Sequence, residues 1–115
     1  MTQRTLKQRF RFDVLLEPED RLAHTVLLSM AYDGHGDWGG CGVAEFNLND
    51  FADAIGWAPG ATLRRLKDLA PTANAVCVEH DNIVLFALAG AQQDGFSHLY
   101  KSRGFEGLQP SLPHL

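Results

Sequence analysis

Gly56 and Pro59, three residues apart, divide the middle of this chain into two short helices that must meet at a tight turn. Leu48, Phe51, Ala52 and Ile55 recur at the spacing of one helical face, which predicts a helix over Leu48–Ile55. Asn47 or Asn49 supplies its N-cap. Gly56 supplies the left-handed residue that stops it. Pro59 suits the first turn of the next helix, because the N–H it lacks would have no partner there. That helix carries Leu63, Leu66 and Leu69 for packing and runs to about Leu69, with Pro71 blocking its continuation. Ala52 is small enough to let the two helices approach, and Trp57 is placed to plug the angle between them.

The flanking elements follow from similar signals. Phe10, Phe12 and Val14 alternate with Arg9, Arg11 and Asp13, the period of a half-buried strand. Pro18 and the acids Glu17, Glu19 and Asp20 mark a helix start, and Leu22, Val26, Leu27, Met30 and Ala31 predict a helix at about 19–32. Five glycines within residues 33–42 make the next stretch a loop. Val43–Phe46 is a short strand. Ala75–Glu79 and Ile83–Leu88 are β-rich runs joined by His80-Asp81-Asn82, a hairpin signal. Beyond Gly90, Asp94 is placed to cap a short helix bearing Phe96, Leu99 and Tyr100, closed by Gly104. The last eight residues read as extended or mobile.

Helix, loop, strand, helix, tight turn, helix, hairpin is the element order of a winged helix-turn-helix. The stretch Leu48–Leu69 resembles, without a gap, such domains of bacterial transcription regulators and of phage or plasmid replication proteins. The Asp33–Trp38 loop is similar to the replication-protein subgroup. At 115 residues the chain has the size of one compact domain. The resemblance implies an α+β winged helix-turn-helix with about three helices and a β-hairpin wing. Residues 1–18 would form a basic N-terminal arm or strand, 19–90 the winged domain, and 91–115 a C-terminal tail with a short helix.

The resemblance also implies a small DNA-binding regulator whose third helix enters the major groove of double-stranded DNA. Carried over by position, the contacts fall on Gly60, Ala61, Leu63, Arg64 and Lys67, with Arg9 and Arg11 added from the arm. The first turn, Ala58-Pro59-Gly60-Ala61, departs from the pattern: it lacks the polar side chains that read base edges and offers at most a thymine-methyl contact. Arg64, Arg65 and Lys67 can reach phosphates or a guanine, yet they equally fit the solvated side of an ordinary helix. Arg4, Lys7, Arg9 and Arg11 fit either a DNA-contacting arm or the polar face of an edge strand. A homodimer is expected, since one module makes few base contacts. Phe96, Leu99, Tyr100 and Phe105, or the 10–15 strand, are its candidate surfaces. Trp57 reads as core and Trp38 as a candidate contact residue.

Charge sustains a competing reading. The formal net charge is −4. Between Phe12 and Leu63 the only base is Arg21, against nine acids. The wing tip Glu79-His80-Asp81-Asn82 is acidic where a DNA-binding wing is basic. The alternative is therefore a winged-helix interaction module or inhibitor that engages a basic protein through its acidic surface. Neither reading calls for catalysis. His24, His35, Cys41, Cys77 and His80 show no paired ligand spacing, so no metal site or cofactor is expected. No nucleophile stands beside a base. No apolar run approaches a membrane span. Two cysteines in a chain without a signal-peptide pattern suit reduced thiols in the cytoplasm.

Overall fold

The computed structural model describes residues 17–33 and 38–113. The expected arm strand and its Arg4, Lys7, Arg9 and Arg11 lie outside the described residues, as does His35. The architecture is α+β: α1 (Pro18–Tyr32), β1 (Val43–Asn47), α2 (Leu48–Ile55), α3 (Pro59–Thr72), β2 (Ala75–His80), β3 (Ile83–Leu88) and α4 (Gln93–Ser102). The three strands form one antiparallel sheet in the order β1-β3-β2. Val43 pairs with Ala87 on one side of β3, and Val76 pairs with Ala87 on the other.

α1 begins as its sequence dictates, with proline in the first turn beside Glu19 and Asp20. Its buried face is Ala23, His24, Leu27 and Ala31. Of the expected stripe, Leu27 and Ala31 are buried and Val26 and Met30 pack against the core, while Leu22 is 55% exposed and Ala23 and His24 complete the buried face. Ala23, Leu27 and Ala31 share one row at i, i+4 spacing, and the small side chains of Ala23 and Ala31 let the helix lie close to the sheet while Leu27 fills the core between them. α2 is capped by Asn47, whose side-chain oxygen accepts from the N–H groups of Asn49 (2.9 Å) and Asp50 (3.1 Å). Gly56 stops it at φ 84°, and both Gly56 and Trp57 donate to the Ala52 carbonyl.

α3 runs past the expected end at Leu69 and contains Pro71 in its final turn. Proline there forfeits a single helical hydrogen bond at an exposed position, which a last turn tolerates. The helix then closes through Ala73 N–H to Leu69 and Asn74 N–H to Pro71. The hairpin turn is shorter than the sequence suggests: His80 belongs to β2, and Asp81 and Asn82 take φ 49° and 65°. Positive φ at both central residues is a type I′ turn.

β3 is covered on both sides. One core joins α1, α2 and α3 to Phe46, Val84, Phe86 and Leu88. A second, on the opposite face, gathers Cys41, Val43, Leu85, Ala87, Phe96, Leu99 and Tyr100, with Phe105 and Leu112 packed against it. Gln92, not Asp94, is the N-cap of α4, and its side chain makes no capping bond. Phe96 is 0% exposed, Leu99 8% and Tyr100 7%. These aromatic and aliphatic groups were expected as a dimer surface; instead they cover this chain's own sheet. The following segment is bound to α4: the Tyr100 hydroxyl donates to the Glu106 carbonyl (3.1 Å), and the Gln109 amide donates to Ser97 Oγ (2.9 Å).

Candidate nucleic-acid interface

The surface of interest is the outer face of α3, and the turn before it decides which residues reach that face. Ala52 is fully buried between α2 and α3, and the Gly56 turn delivers Trp57 into the interhelical angle at 7% exposure. Trp57 meets Phe51 edge-on at 6.0 Å, and Phe51 stacks on Phe46 at 4.5 Å. With that side anchored, Thr62, Leu66, Leu69 and Ala70 point inward. The Thr62 hydroxyl donates to the Ala58 carbonyl at 2.9 Å, so its burial leaves no polar group unmet.

Gly60, Arg64, Lys67, Asp68 and Pro71 are left facing outward. Ala58 and Pro59 are exposed as well, and a side chain at Gly60 would meet nothing within 4 Å. Of the residues expected to read DNA, Gly60, Arg64 and Lys67 therefore share one open face. Ala61 is half-buried at its margin, and Leu63 is half-buried and packs against the first core. Arg9 and Arg11 lie outside the described residues.

Arg65 leaves the expected basic cluster. Its Nη2 donates to the Glu19 carboxylate at 3.1 Å and to that of Asp20 at 3.3 Å. Its guanidinium carbon sits 3.8 Å from the centroid of the Trp57 ring. Sequence inspection missed this arrangement because the partners are 45 and 46 residues away and no local spacing encodes them. Lys67 and Glu79 act in opposite directions on the half-buried Cys77 thiol, which burial pushes up to about 11.

The hairpin does not project. Ile83 pairs with His80 on one side and with Asn47 of β1 on the other, so both ladders extend to the turn. The Asn82 carbonyl accepts from the Leu48 N–H at 2.7 Å, and the Asn82 N–H donates to the Glu79 carboxylate at 3.0 Å. Asp81 stands exposed at the tip. On the far face of the sheet Arg103 pairs with Glu45, which favours its charged form further. Trp38 is half-buried against the second core with its ring 5.5 Å from His98, a packing role rather than an open contact.

Among the described residues there is no group of three or more potential metal ligands. No described helix is long and apolar enough to cross a membrane. Comparison of the chain with protein-family models, with curated proteins and with solved structures finds no match.

Proposed function

We propose that the chain is a winged-helix DNA-binding regulator that inserts α3 into the major groove of duplex DNA. The observation that carries this reading is the open face of α3, where Arg64 and Lys67 stand one turn apart beside the unobstructed Gly60. The element order and the three-stranded antiparallel sheet support it, being compatible with a winged-helix arrangement. In this mode Arg64 and Lys67 contact phosphates or a guanine, and the bare first turn lets the helix backbone come close to the groove wall. The hairpin stays out of the contact because its tip is acidic.

The test is fluorescence anisotropy on mixed-sequence duplexes over a salt series starting at low salt. Replacing Arg64 and Lys67 together by Ala weakens binding and makes the slope of log K against log salt shallower by about two units. If the parent chain binds no duplex even at low salt, the DNA reading fails. A second reading then takes over on the strength of the exposed Asp81, the neighbouring Glu79 and the net charge of −4. On that reading the acidic surface docks a basic protein. Asp81→Asn separates the two, since it tightens DNA binding in the first case and weakens a protein complex in the second.

A further inference from the structure

Arg65 is held by two carboxylates and one aromatic ring, and these three contacts differ in what breaking them costs. The Glu19 side chain is 73% exposed and open to water and salt, whereas that of Asp20 is half-buried at 27%. An exposed pair such as Arg65–Glu19 holds its partner weakly, and the half-buried Asp20 is the firmer of the two contacts. The ring is different: Trp57 is 7% exposed and fixed in the core, and it orients the planar guanidinium stacked on it. If the carboxylates let go, the fork therefore keeps its place and direction. A phosphate offers the same paired oxygens to that fork as a carboxylate does. Two carboxylates face this one guanidinium.

We propose that Arg65 is a third phosphate-binding residue of α3, held in reserve by the acidic first turn of α1. Glu19 and Asp20 occupy the guanidinium and keep it from the DNA, and loss of their charge frees it to take a backbone phosphate of the duplex. The inference rests on the reading of α3 as a DNA-contacting helix and adds to it a restraint on affinity. Arg65 lies next to Arg64 in sequence on the flank of the same helix, where the groove's sugar-phosphate wall would pass.

Neutralising acids near DNA always relieves some repulsion, so the test is a double-mutant cycle. Duplex binding is measured by anisotropy between about 50 and 200 mM salt for the parent, for Glu19→Gln with Asp20→Asn, for Arg65→Ala, and for all three changes together. The freed arginine should tighten binding and steepen the salt slope by about 0.9. The variant's advantage over the parent then shrinks roughly three- to fourfold across that range. In the Arg65→Ala background the same two changes should leave the slope as it was. Should Arg65→Ala fail to fold, Arg65→Met keeps an aliphatic stem on Trp57 and removes the charge alone. An equal gain with and without Arg65 overturns the proposal, because the acids then act only by repulsion. So does a parent that binds DNA but does not respond to the loss of Glu19 and Asp20. Either result leaves the DNA reading standing, whereas a parent that binds no duplex removes both.

Discussion

Phe96→Ala asks whether α4 is part of the fold or an appendage to it. Phe96 is 0% exposed and sits in the second core between Val43, Leu85, Ala87, Leu99 and Tyr100. Its ring lies 5.9 Å from that of Tyr100. Removing a fully buried phenyl group costs about 3–5 kcal/mol, the lost transfer energy plus the cavity left behind. A chain of this size has a total stability of roughly 6–17 kcal/mol, so the variant stays folded but loses a large part of its margin. The midpoint of thermal unfolding should fall by roughly 10–20 °C. Urea unfolding followed by far-UV circular dichroism supplies the free energy, with an unchanged m-value expected if only the native state suffers. The cost should be the same over a roughly tenfold range of protein concentration, because the ring packs within its own chain. A loss under about 1 kcal/mol, or one that depends on concentration, would refute the assignment of α4 to the intramolecular core.

Three further outcomes are expected. Ala52→Leu forces a larger side chain between α2 and α3, where Ala52 is 0% exposed, and should cost about 1–3 kcal/mol in chemical denaturation. Gly95→Ala should destabilise despite the better helix propensity of alanine, because its Cβ would lie 2.9 Å from Cβ of Cys41, whereas Gly60→Ala, with open space around it, should stabilise by up to ~1 kcal/mol; opposite shifts in melting temperature check the pair. Cys77 keeps its proton to about pH 11 in the fold, against an ordinary value of 9.0, chiefly through burial. The unfolded chain therefore loses that proton first, and stability should fall by about 2 kcal/mol as pH rises from 9 to 11, a loss that Cys77→Ala abolishes in urea titrations at each pH.

The parts of this fold that the sequence announces are those set by short-range chemistry. The Asn47 cap, the left-handed Gly56, the first-turn Pro59 and the Asp81-Asn82 turn each act within a few residues, and they place α2, α3 and the hairpin. The failures share a different origin. Leu22 matches the apolar period of α1 as well as Ala23 does, and only the close approach to the sheet selects the alanine row. The apolar face of α4 is visible in Phe96, Leu99 and Tyr100, but its partner is a sheet face assembled from β1, β2 and β3, so the sequence leaves open whether it covers this chain or another. β3 held the missing signal: Val84 to Leu88 are all buried, and an unbroken apolar run is the mark of a strand covered on both sides. Arg65 reads as one more surface cation because Glu19, Asp20 and Trp57 reach it only through the tertiary fold.

That covered sheet also limits where a nucleic-acid partner could be gripped. A hairpin that pairs with β1 up to its own turn has no free length to lay along a phosphate strand, and its tip presents Asp81. The far face is occupied by α4 and the segment after it. Of the surfaces expected to meet DNA, the outer face of α3 is left, and it sets Arg64 and Lys67 against Asp68, with Arg65 withheld on α1. On the DNA reading, the two phosphate contacts among the described residues give a salt slope near two, far below the six to ten contacts of a strongly bound regulator. A net charge of −4 adds no long-range attraction to DNA. Beyond what the basic arm supplies, useful affinity then comes from linkage, either a second copy or a larger assembly that brings several α3 helices to one duplex. Within such an assembly a weak, salt-sensitive single contact is an advantage: each module lets go readily, and only a correctly spaced set of sites holds the whole.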